Sequence, residues 1–115
     1  MRFYKTDIEL FQRIAETEIR IRKPVILTVC KTVKLNLDWC VGLYEDCDDY
    51  HAIKISRAEI WNPVELFATI AHEYIHAWQS EKGLPVNHSP ASKFPLWRRH
   101  FRLTYNVDLS GFNHA

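Results

Sequence analysis

A small α+β fold in the order α-β-β-β-α-α is what this sequence predicts, and three observations carry the prediction. A capped stretch of helical periodicity opens the chain, a block of alternating β-branched and apolar residues follows, and two further helical stretches close it. The 115 residues are the size of one domain, and residues 1–115 are expected to form a single unit with one core. A content of 47% hydrophobic and 25% charged residues is that of a globular protein and excludes disordered and collagen-like classes.

The first helix is expected over 7–22. Thr6-Asp7-Ile8-Glu9 has the form of a capping box, Ile8, Phe11, Ile14, Ala15 and Ile19 recur at helical spacing, and Pro24 ends the run. Three strands are expected next, over 25–35, 38–44 and 50–56, with a polar turn, Glu45 to Asp49, between the last two. That acidic turn lacks the glycine and the spacing of a calcium loop and reads as solvated. A long helix over 63–82 starts at Asn62-Pro63, with Asn as N-cap and Pro at the first position, and stops at Gly83 and Pro85. A last helix covers 93–105, with Phe94, Trp97, Phe101 and Tyr105 on one side.

Charge and cysteine usage narrow the function classes. There are 15 basic and 14 acidic residues, net +1, which argues against a dedicated polyanion binder. No apolar run approaches the ~20 residues of a membrane span, so no membrane association is expected. The three cysteines form no C-x-x-C pair, which excludes a zinc ribbon. Free thiols and an N-terminus without an apolar signal region lead us to expect an intracellular protein.

The chemistry concentrates in the long helix. Its polar residues, Glu65, Thr69, His72, Glu73, His76, Gln79 and Ser80, fall within an arc of about 120° at 100° per residue, and almost everything else is apolar. This is the inverse of a surface helix. Most of it should be buried, with one polar stripe facing something polar. His72-Glu73-Tyr74-Ile75-His76 is H-E-x-x-H, whose two histidines project from one face and can share one Zn²⁺. Glu73 is then placed to serve as general base. Burying two imidazoles and a carboxylate without partners would be costly, and a metal ion offsets that cost.

Catalytic zinc usually takes three protein ligands. No glutamate follows Glu81, so a downstream Glu ligand is excluded. Asp108, His88, His100 and His114 remain as candidates. His88 lies in the turn Pro85-Val86-Asn87-His88-Ser89-Pro90, which reverses the chain and can return His88 over the stripe; it is the favoured third ligand, with His100 the runner-up.

The segment His72-Glu73-Tyr74-Ile75-His76-Ala77, followed by a third histidine in a loop and an aromatic helix, resembles the SprT-like zinc metallopeptidases. Asn87-His88-Ser89, followed by Phe94 and Trp97, is also similar to a segment of the related WLG (YgjP-like) group. The resemblance implies a compact zincin-like domain with a small sheet packed against the H-E-x-x-H helix. It implies His72, His76 and His88 as ligands of one catalytic Zn²⁺ and Glu73 as the catalytic acid/base of peptide-bond hydrolysis, and relatives acting on DNA-crosslinked proteins suggest DNA-associated substrates. Ser89 stands where that family has glycine, the gap to Phe94 is two residues longer, and the C-terminal zinc ribbon of many members is missing. Tyr105, Asn87, His100 and Arg98 are open candidates for the donor that stabilises a developing oxyanion. Arg98, Arg99 and Arg102 form an arc on the last helix that can contact DNA phosphate. The alternative expectation is a non-catalytic, zinc-stabilised module that binds nucleic acid or protein.

Overall fold

The structure, a computed structural model, describes residues 3–109. It is α+β: helix α1 (Lys5–Glu18), strands β1 (Val25–Cys30), β2 (Val33–Leu35), β3 (Asp38–Cys40), β4 (Gly42–Asp46) and β5 (His51–Ser56), helix α2 (Pro63–Glu81) and helix α3 (Phe94–Tyr105). Short 3₁₀ turns at Arg57–Glu59 and Pro90–Ser92 precede α2 and α3. None of the helices among the described residues is long and apolar enough to cross a membrane.

The sheet has the order β1-β5-β4, with β1 parallel and β4 antiparallel to the central β5. Two of the expected strands are each broken in two. Register explains the first break. Cys30 pairs with Ser56, where β5 ends, so β1 has no partner beyond it. The chain then makes a separate hairpin, β2 with β3, turning at Asn36, whose φ of 57° lies in the left-handed region that Asn tolerates. The second break falls at Val41, whose carbonyl accepts from the Ser56 N–H at 2.9 Å.

Helix α1 is shifted from its expected span. The Tyr4 carbonyl accepts from the Asp7 and Ile8 N–H groups, so the helix starts at Lys5, and no side chain caps it. Thr6 is therefore inside the first turn and the capping box does not form. The helix also stops at Glu18, before the expected Arg22. Beyond it, the N–H groups of Arg22 and Lys23 donate to the Glu81 carboxylate at 2.7–3.0 Å, bonds that a continued helix would have kept for itself.

Helix α2 follows its sequence signals. Asn62 Oδ1 accepts from the Glu65 N–H at 2.9 Å, and Gly83, at φ 68°, ends the helix with its N–H on Ser80 O. Thirteen of its residues are buried, among them His72, Glu73, His76 and Gln79. Its apolar side packs with Ile53 and Ile55 of β5 and with α1 and α3, the last two meeting it around Phe67, which contacts Phe11, Phe101 and Tyr105. The core thus surrounds a helix that carries a polar stripe.

Candidate metal centre

Strand β4 covers one side of that stripe. A Cβ built on Gly42 would lie 2.8 Å from Glu73 Oε2 and 2.9 Å from Thr69 Cγ2, so only glycine permits this approach of strand to helix. Two residues on, the Tyr44 ring lies 6.5 Å from the His76 ring, and two further on Asp46 Oδ2 accepts from Ser80 Oγ at 3.0 Å. The period of two along β4 therefore matches the turns of α2 from Thr69 to Ser80.

The rest of the stripe faces the loop after α2. The structure brings His72, His76 and His88 together, with one ring nitrogen from each inside a 4.8 Å cluster. His72 and His76 are buried, and His88, on the loop, is the exposed member. The ring nitrogens are assigned by their partners. His72 Nδ1 faces the carbonyl of Leu109 at 2.9 Å, an acceptor, so Nδ1 carries the proton and Nε2 the lone pair. His76 Nδ1 faces Gln79 Oε1 at 2.8 Å, with the same result. His72 Nε2 lies 3.1 Å from His88 Nε2, which is close to the edge of a tetrahedron with metal–nitrogen bonds of about 2.0–2.1 Å. Imidazoles whose outer nitrogens donate to fixed acceptors while the inner ones converge are built as metal ligands are. The three residues can hold a metal ion. Partial desolvation of the His88 ring, followed by the field of Arg98, lowers its pKa, which favours the neutral form that a metal requires.

Phe94 packs against the three rings, with centroids 4.6 Å from His72, 5.4 Å from His76 and 4.6 Å from His88. Between His88 and Phe94 the chain passes through the 3₁₀ turn Pro90–Ser92 and Lys93 at φ 60°. Internal bonds hold this loop: Asn87 Oδ1 accepts from the Ser89 N–H and hydroxyl, and Ser92 Oγ donates to Ser89 O at 2.6 Å.

Glu73 is 1% exposed, and its Oε1 has no hydrogen-bond partner among the described residues. Desolvation pushes its carboxyl well above the usual carboxylate range. An orphaned carboxylate oxygen beside convergent imidazoles fits a bound cation and its water, whose charge and protons would offset the burial.

The other expected candidates fall elsewhere. His100 Nε2 pairs with Glu18 Oε2 at 2.7 Å, away from the cluster, and Tyr105 donates to Glu18 Oε1 at 2.6 Å, so neither hydroxyl nor imidazole points to the histidines. Asp108 lies 3.7 Å from Arg102. His114 lies outside the described residues. Arg98, Arg99 and Arg102 are exposed on α3, and of the three the charge of Arg98 reaches the His88 ring. Sequence reasoning left His51 unassigned. It is fully buried, its Nδ1 lies 2.8 Å from the Tyr44 hydroxyl and its Nε2 donates to Glu81 Oε2 at 2.7 Å, tying β4, β5 and α2 together. The pattern Tyr44, His51, Glu81 has no local spacing that could have revealed it. No protein-family model, curated protein or solved structure matches the chain.

Proposed function

We propose that this chain is a zinc-dependent metallopeptidase, with His72, His76 and His88 holding the ion and Glu73 acting as general acid/base. The observation that carries the reading is the convergence of three imidazoles, two of them held in the ligating tautomer, beside a buried carboxylate. When bound, the ion supplies Lewis acidity and a water acidified to a pKa near ~7.

The chain's own residues do the remainder. Glu73, its proton affinity raised by burial, would take at Oε1 a proton from the water that adds to the scissile carbonyl carbon, and give it to the amide nitrogen as the C–N bond breaks. Gly42 lets β4 close over the other oxygen, which keeps water from that side. Zinc is favoured over harder cations because the donor set is nitrogen alone. DNA-associated proteins are one substrate class consistent with the exposed Arg98, Arg99 and Arg102.

Casein cleavage by zinc-loaded wild type and by Glu73→Gln tests the reading. The variant should keep its zinc and lose about 100-fold or more of its rate. A zinc-loaded Glu73→Gln protein that cleaves at the wild-type rate would contradict it. Zinc-dependent folding of a wild type that cleaves nothing would instead establish the non-catalytic binding module.

A further inference from the structure

The buried amide of Gln79 touches both halves of the metal centre. Its Oε1 lies 2.8 Å from His76 Nδ1. Its Nε2 donates to the carbonyl of Asn87 at 2.9 Å and to the carbonyl of Ser92 at 3.0 Å. Both of those carbonyls belong to the loop that carries His88. Gln79 is 0% exposed, so water does not compete for its amide. Three hydrogen bonds use both of its N–H groups and its carbonyl oxygen.

The direction of control follows from donor and acceptor chemistry. Two carbonyls can accept only from N–H, so the loop dictates which end of the amide faces it. The oxygen must then face His76, and an oxygen accepts only from a protonated Nδ1. That leaves the lone pair on His76 Nε2, the nitrogen that a metal ion requires. An apolar side chain of similar size would leave the tautomer unset, the buried Ser92 carbonyl without its donor and the Asn87 carbonyl to solvent.

We propose that Gln79 is a positioning residue that makes the His76 tautomer and the placement of the His88 loop depend on each other. The inference rests on the zinc reading for its consequence, weaker zinc binding, but its structural half stands without it. Gln79→Glu separates the two roles. The carboxylate still accepts from His76 Nδ1 but has no N–H for the loop and sets an oxygen against its two carbonyls. Gln79→Met removes both roles at similar volume.

Two measurements on the full chain test this. The first is the zinc dissociation constant, by competition with a chromophoric chelator, for wild type, both variants, His88→Ala and the Gln79→Glu/His88→Ala double variant. Gln79→Glu should weaken zinc about 10-fold and Gln79→Met up to about 100-fold. In the His88→Ala background Gln79→Glu should add less than about threefold, because its effect runs through His88. A general packing defect would weaken both backgrounds alike. The second is amide hydrogen exchange of the metal-free protein. Residues 87–92 should exchange faster in both Gln79 variants while the α2 amides stay protected. Zinc constants within twofold of wild type, or equal losses in both backgrounds, overturn the proposal. If the wild type binds no zinc, the metallopeptidase reading fails, and exchange decides Gln79 alone: faster exchange at 87–92 supports the clamp and unchanged exchange overturns it.

Discussion

His72, Glu73 and His76 stood out in the sequence as site candidates because residues four apart on one helical face are neighbours, a local geometry. His88 was reachable because a short turn after α2 restricts where the chain can go, whereas the choice between His88 and His100 needed tertiary distances. What sequence could not show is everything that fixes the imidazoles from outside. The Leu109 carbonyl that orients His72 is 37 residues away, and its role depends on a backbone group that every residue possesses. Gly42 was similarly silent, since its value lies in the 2.8 Å between a missing Cβ and Glu73 Oε2. It yields a prediction at this scale. Gly42→Ala should cost about 1–3 kcal/mol in denaturant unfolding, because both contacting groups are buried and cannot easily give way. It should lower peptide cleavage more than zinc content, because the displaced group is Glu73 and no ligand. A variant as stable and active as wild type would remove β4 from the site.

Elements with strong end signals were read well, and elements ended by distant partners were not. Asn62, Pro63 and Gly83 bound α2 by themselves. Helix α1, by contrast, stops at Glu18, short of the Arg22 and Lys23 N–H groups that Glu81 captures from 59 and 58 residues away in the chain, and no periodicity records that. Glu81 therefore ties the end of α2 to the α1–β1 connection and, through His51, to β4 and β5. Desolvation raises its carboxyl pKa, but the hydrogen bonds from His51 and from the Lys23 and Arg22 backbone outweigh this and leave it below the ordinary value. A depressed carboxylate stabilises the fold at pH values above its unfolded pKa, and the contribution is lost as pH falls through the folded pKa. Glu18, lowered by Tyr105 and His100, acts with the same sign between α1 and α3. Stability should therefore fall below the usual carboxylate range. Glu81→Gln should lose about 1.5–3 kcal/mol at neutral pH and show a shallower acid decline in urea titrations. An acid limb identical to wild type would show that Glu81 does not couple these elements.

For the whole molecule, the α+β class and the burial of an inverted amphipathic helix were legible because composition and periodicity determine them. The pairing of β1 with β5 across a hairpin was not, since it depends on where β5 ends. The centre joins α2, the 87–92 loop and the Leu109 backbone, so metal binding and global stability should be linked. Zinc at 100 times its dissociation constant should add about 2.7 kcal/mol, seen as a fall in Tm on chelation and its recovery on zinc addition. Contact of Arg98, Arg99 and Arg102 with DNA should appear as an affinity that falls with salt and is weakened by Arg98→Glu and Arg99→Glu; salt-independent binding would exclude it. Elemental analysis of purified wild type, His88→Ala and His100→Ala decides whether His72, His76 and His88 hold a zinc ion. Wild type and His100→Ala should each carry one zinc per chain after purification, and His88→Ala, binding more weakly, should lose its zinc during purification. Full zinc in His88→Ala, or none in wild type, would contradict that assignment.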